Sequence, residues 1–225
     1  MMIKISAFSG KIQDKFHPML LKSHRLLILV LLWSVGFGQT RYPADSLLAD
    51  SSVGWWAKAG LLPIAAWERL SFNSNLLNCQ HYPSCSLYGA GAVAKFGLLR
   101  GSVMAADRIV RCNPAARYYQ LRAGRSFHEP DGRIVDPVVP DRPETNRHSP
   151  ALAAALSSMV PGAGRVYAGR PFDGLAGFLT VVLFYSMARE STHRQHPLRA
   201  GILWTGTVTF YLGEIYGAWR MAKYD

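Results

Sequence analysis

Charged side chains are scarce in this chain of 225 residues: Asp, Glu, Lys and Arg make up 17% of it, against about a quarter in a soluble domain. Acidic residues are the scarcer kind, 14 against 25 Lys and Arg, for a formal net charge of +11. Cysteine is rarer still, with three. No serine-triad, phosphate-loop, dinucleotide or metalloprotease pattern is present. Nor is there an aromatic–basic RNA motif, or a helix with Arg, Asn or Gln arranged to read bases. These absences speak against an enzyme of those classes and against a nucleic-acid partner. A basic chain that is 49% apolar fits anionic lipid better.

The leader has the three-part layout of a secretory signal. Lys4, Lys11, Lys15, Lys22 and Arg25 precede the apolar run Leu26 to Val35, and Gly36 and Gly38 stand just before Gln39. An apolar core of about 10–13 residues is short for a spanning helix, which needs about 20. Residues 1–38 are therefore expected to be a signal peptide or an N-terminal anchor, with Met19 opening a shorter leader of more ordinary form. No Cys follows the small residues, so no lipoprotein anchor is indicated.

Residues 39–54 are small and polar and read as a linker. A helix is predicted from Trp55 to Leu70, with Trp55, Trp56, Ala59, Leu62, Ala66 and Trp67 on one face and a kink or break at Pro63. That face suits either a position at the lipid head groups or the protein core. Tyr88, Ala92 and Phe96 then recur every four residues until Gly97, and a second helix fits Leu99 to Val110. Val103, Ala106, Ile109 and Val110 lie on its apolar side, with Arg100, Arg108 and Arg111 on more polar positions. The Pro-, Gly- and Arg-containing stretch after Cys112 reads as a solvated loop.

From Ser149 the chain turns apolar. Ala151 to Val160 ends at Pro161-Gly162, and two longer segments follow, Phe172 to Ala188 and Ala200 to Trp219, joined by a basic turn. Tyr185, Trp204, Tyr211, Tyr216 and Trp219 can supply interfacial aromatic belts. Glu214 is the one ionisable residue of the last segment and hence an intramembrane candidate. The expected fold is mainly α: a small Cys-containing helical domain followed by a transmembrane helical hairpin. The expected boundaries are 1–38 for the signal or anchor, 39–54 for a linker, 55–140 for the helical domain, 141–149 for a second linker and 150–225 for the membrane hairpin.

Cys79 and Cys85 lie six residues apart around Tyr82-Pro83. With His81 and Cys112 they offer the donors of a Cys3His zinc site, but zinc knuckles favour C-x2–4-C pairs. The pair here is C-x5-C with Pro83 inside, so neither a metal nor a cofactor is expected. In an exported chain Cys79 and Cys85 are the candidate disulfide; in a reducing compartment all three stay thiols. A nucleophilic cysteine needs a His or other base brought close; no local signature supports one, and no catalytic residue is expected.

Taken together, CQHYPSCSLYGAGAVAKFGLLRGSVMAADRIVRCNP and the later IVDPVVP resemble the membrane protein insertion efficiency factor family, the YidD-like proteins. The resemblance covers about Leu61 to Pro140. It rests on Cys79, Pro83, Ser84, Cys85, Ser86, Tyr88, Phe96, Gly97, Gly101, Arg108, Arg111, Cys112, Pro114, Asp136, Pro137 and Val138. It implies a non-enzymatic, mainly helical accessory at the bacterial inner membrane, with lipids, an insertase or translocon, and nascent membrane proteins as partners. The cysteines then read as core or redox-sensitive scaffold positions. The chain departs from the pattern in a longer stretch between Cys112 and Asp136, in the lost Gly-Gly before Asp136, and in the extra Val of DPVVP. Its signal-like start leaves the membrane face open, and keeps an exported envelope protein with a disulfide as the alternative. The tail, from Met159 to Phe178, resembles TM2-like or DUF5683-like bacterial membrane domains, with Arg165 where those carry Gln.

Overall fold

The structure, a computed structural model, describes residues 42–71, 79–140 and 148–224. The signal or anchor expected over 1–38, and most of the linker expected over 141–149, lie outside the described residues.

Two helices open the described chain, α1 (Pro43–Ala49) and α2 (Trp55–Ser71). The first falls in the stretch expected to be a linker. Pro43 suits a first helical turn, where a missing N–H costs nothing. Side chains of α2 then fasten it: Glu68 accepts from the Ala44 N–H at 3.1 Å, and Arg69 pairs with Asp45 at 2.7 Å. Partners that far along the chain leave no trace in local composition. Pro63 lies on the exposed face of α2, and the helix runs through it without a break.

One face of α2 is buried. Ala57, Leu61 and Ala65 meet Ala44, Val53, Ala90 and Val93 in an apolar core. The tryptophans lie on the other side, Trp55 67% and Trp67 52% exposed. Of the two readings of that face, the core-facing one is thereby excluded.

The predicted pair of helices is α3 (Cys85–Phe96) and α4 (Leu98–Arg111). Ser84 caps α3 by accepting from the Leu87 N–H at 3.4 Å. Gly97 turns the chain between the two helices at φ +81°, a region that favours glycine. A Cβ on Gly101 would collide with the backbone of Val93, so the two helices touch there. The faces of α4 differ from those read from the sequence. Arg108 and Arg111 are inside, and Ile109 is 53% exposed. The reason is a set of carboxylates, described below, that converge on the arginine side.

The expected loop after Cys112 contains α5 (Ala116–Arg122) and strand β2 (Ile134–Val135). The latter pairs in parallel with β1 (His81–Tyr82), His81 opposite Ile134. This two-residue ladder brings the first cysteine segment beside Asp136.

The tail begins with α6 (Pro150–Met159) and the short α7 (Ala163–Tyr167). Gly162 separates them at φ +85°, and a Cβ there would strike the carbonyl of Gly174. The long helices α8 (Pro171–His193) and α9 (Pro197–Tyr224) follow and pack along each other. Among the described residues α8 alone is long and apolar enough to cross a membrane by length and composition. The second expected span is inside α9, which carries Arg199, Glu214, Arg220 and Lys223 and does not meet that test. Leu175, Leu179, Leu183, Ile202, Val208 and Leu212 point outward, while Gly174, Gly177, Ala188, Ala200 and Thr207 are buried. A large-residue exterior around a small-residue seam is the packing expected of helices solvated by lipid.

Candidate functional site

The cysteine corner forms where three elements end. Cys79 precedes β1, Cys85 opens α3, and Cys112 caps the C-terminus of α4. Because α3 and α4 are joined by the single residue Gly97, the start of one and the end of the other lie side by side. The Sγ atoms of Cys79 and Cys85 are 3.3 Å apart, and all three Sγ atoms lie within 4.8 Å of one another. All three are free thiols, half-buried. The Gln80 amide sits 3.9 Å from the Cys112 sulfur and donates to the Asn113 carbonyl at 2.8 Å. The Cys112 and Cys85 thiols hold the Cys79 thiol below its ordinary value, and Cys112 and Cys79 push Cys85 up. Burial pushes the His81 imidazole down, against the pull of the Cys79 thiol beside it; the ring is neutral at pH 7.

Behind this corner the remaining signature residues share one polar cluster. The Pro83 carbonyl, after a cis Tyr82–Pro83 peptide, accepts from Arg108 at 3.0 Å. Arg108 also stacks its guanidinium 5.0 Å from the ring centre of the buried Tyr88. Asp136 receives Arg108 at 3.0 Å, Arg220 of α9 at 2.7 Å, and Arg111. Arg220 donates as well to the Pro137 carbonyl at 3.3 Å. Ser86 lies 3.2 Å, oxygen to oxygen, from the capping Ser84, and Pro114 stands in the turn before α5. Among the expected site residues, then, those from Cys79 to Pro137 gather at one end of the α3–α4 pair, with Gly97 and Gly101 setting how closely that pair packs.

Sequence reasoning singled out Glu214 and noted Arg165 without a partner for either, and missed Asp107 and Asp173, which with them extend the cluster into the tail. Asp107 is fully buried and pairs with Arg111 at 3.0 Å and with Arg165 of α7 at 2.8 Å. Arg165, itself fully buried, reaches Glu214 of α9 at 3.0 Å. Glu214 is thus linked to the signature domain through Arg165, and is packed so closely against α8 that a Cβ on Gly177 would strike its carboxylate. Nearby, Asp173 takes hydrogen bonds from Asn113 at 2.6 Å and Arg170 at 3.0 Å. Burial alone would raise the Asp107 and Asp136 carboxyls. The surrounding arginines outweigh it, Arg111 first in each case, and hold Asp107 below and Asp136 well below the ordinary aspartate value. The available signal was Arg165 and Glu214 standing inside otherwise apolar segments, where an ionisable group asks for a partner.

The family model YidD, described as "Putative membrane protein insertion efficiency factor", matches residues 57–119. A relative from Frankia casuarinae with the same description is 32% identical over 148 residues, covering 56% of this chain and 95% of its own length. One from Oleidesulfovibrio alaskensis is 42% identical over 81 residues, 35% of this chain and 85% of the relative. One from Rhodopseudomonas palustris (strain TIE-1) is 54% identical over 37 residues, 16% of this chain, and the match spans only 29% of that relative. No solved structure matches.

Proposed function

Since the chain belongs to the membrane protein insertion efficiency factor family, we propose that it is a non-enzymatic accessory that assists insertion of proteins into the bacterial inner membrane. The observation that carries this reading is the inverted build of the tail. Leucine, isoleucine and valine lie outside on α8 and α9; at the end nearer the signature domain Asp173, Glu214 and Arg220 lie inside, linked to it through Asn113, Arg165 and Asp136, while Arg189, Glu190, Arg194 and Arg199 are exposed around the turn between the two helices. In this reading the hairpin sits in the apolar layer of the bilayer. The signature domain, tied to it through Asp107, Arg165 and Glu214, rides at the head groups. The outward tryptophans of α2 add an interfacial contact, and surplus Lys and Arg add about 1 kcal/mol each on anionic lipid. Partners are then membrane lipids, an insertase or translocon, and the nascent chain.

Deleting the gene and following the insertion kinetics of reporter membrane proteins tests the reading. Slowed insertion, restored by the intact chain, together with photocrosslinks to insertase or nascent chain, is the expected result. Unchanged kinetics with no such crosslinks would overturn it.

A further inference from the structure

The three cysteines form more than a structural corner. We propose that Cys79, Cys85 and Cys112 are the ligands of one soft divalent cation of the zinc class. This goes beyond the insertion role and does not depend on it.

C-x5-C is a poor knuckle, but the third donor arrives from the far end of the α3–α4 pair. Three sulfurs around a tetrahedral zinc, with Zn–S near 2.3 Å, stand about 3.8 Å from one another. The observed arrangement is compact enough for that, with Cys79 and Cys85 3.3 Å apart and every pair within 4.8 Å. A Cys79–Cys85 disulfide would use two of the sulfurs and leave the convergence of Cys112 without a role.

The surroundings fit as well. The corner opens into a cavity of about 970 Å³, so an ion can enter. The fourth coordination place falls to water. His81, 2% exposed and beside Cys79, has an Nδ1 without a hydrogen-bond partner but lies outside the group of donors that are within 4.8 Å of one another. Gln80 holds the third sulfur from behind, in the manner of outer-shell groups that orient metal ligands. Zinc with three thiolates carries one net negative charge. Arg108 and Arg133, both within electrostatic reach of Cys79, offset it. Each thiol that enters as S–H releases its proton on binding, so three Cys–SH and Zn²⁺ give a tris-thiolate zinc and three protons. The ion would staple the segment before β1, the start of α3 and the end of α4.

The test uses the full chain in detergent, purified under reduction and without chelator. Metal analysis should find about one zinc per chain. Replacing zinc with Co²⁺ should give a near-ultraviolet thiolate-to-metal band and intense visible bands of tetrahedral geometry. Cys112→Ser should weaken Co²⁺ binding at least about tenfold. The wild-type measurements stand even if that variant fails to fold. Two results would overturn the site. One is a metal-free chain whose three thiols alkylate at the same rate with and without added Zn²⁺. The other is a Cys79–Cys85 disulfide in protein acid-trapped from cells.

Discussion

Two regions of this molecule hide opposite kinds of side chain. Between α1, α2 and α3 the buried residues are Ala44, Ala57, Leu61, Ala65, Ala90 and Val93. Where α4, α7 and α9 meet, they are Asp107, Arg108, Arg165, Glu214 and Arg220. The first is the interior of a water-soluble protein, driven together by apolar burial. The second belongs to helices whose outer surfaces are apolar, and water does not favour that arrangement. Lipid does: with hydrocarbon outside, burying leucine gains little, while charge must find charge within the protein. On the membrane reading proposed above, one chain is built for two solvents, its parts joined by a run of ion pairs from Glu214 through Arg165, Asp107 and Arg111 to Asp136.

The sharpest way to break the contrast is to unpair that run. Arg165→Ala leaves the carboxylates of Asp107 and Glu214 without their shared cation, and removing one partner of a buried pair costs about 3–5 kcal/mol. Thermal unfolding in detergent should show the loss. The double variant Arg165→Met with Glu214→Leu should recover part of it. The corresponding cut in the apolar region is smaller and of another kind. Gly101→Val forces a side chain into the Val93 backbone, an overpacking of about 1–3 kcal/mol, and no second substitution of charge should relieve it.

How much of this was legible beforehand follows the same division. The α3–α4 pair could be read from a four-residue apolar repeat and a stop at Gly97, because helix period and turn chemistry are local. The outline of the tail was legible from its apolar runs. What stayed hidden depended on distant partners. Arg108 and Arg111 were read as a polar face because Asp136 and Arg220 lie far along the chain. The helix α1 looked like a linker because Glu68 and Arg69, which fasten it, belong to α2. The C-x5-C spacing spoke against a shared site because the turn at Gly97, which brings Cys112 back beside Cys79 and Cys85, cannot be seen in that spacing.

Acid separates the two regions more gently. The folded-state pKa values of Asp107 and Asp136 lie below the ordinary 3.8. Both groups therefore bind protons less readily folded than unfolded. Their stabilisation is complete above the unfolded value of about 4 and is lost as pH falls toward the folded values. Melting temperature should be flat from about pH 7 to 5 on this account and should fall below about pH 4. Asp136→Asn should shrink the acid-dependent part.

The smallest effect on folding should come from the α2 tryptophans. Changing Trp55, Trp56 and Trp67 to Ser alters exposed positions, where each substitution usually stays within about 0.5 kcal/mol. Binding to anionic vesicles should nevertheless fall. If binding is unchanged, the interfacial role of this face is wrong and the hairpin alone holds the protein at the bilayer.

The claim that the tail is solvated by lipid is tested most directly by a genetically encoded photocrosslinker at Leu179 and, separately, at Leu183, both outward-facing on α8, activated in intact cells and read by mass spectrometry. Adducts to lipid acyl chains at both positions are the predicted result. Recovery of the intact chain without detergent in the soluble fraction, with no lipid adduct at either position, would contradict it.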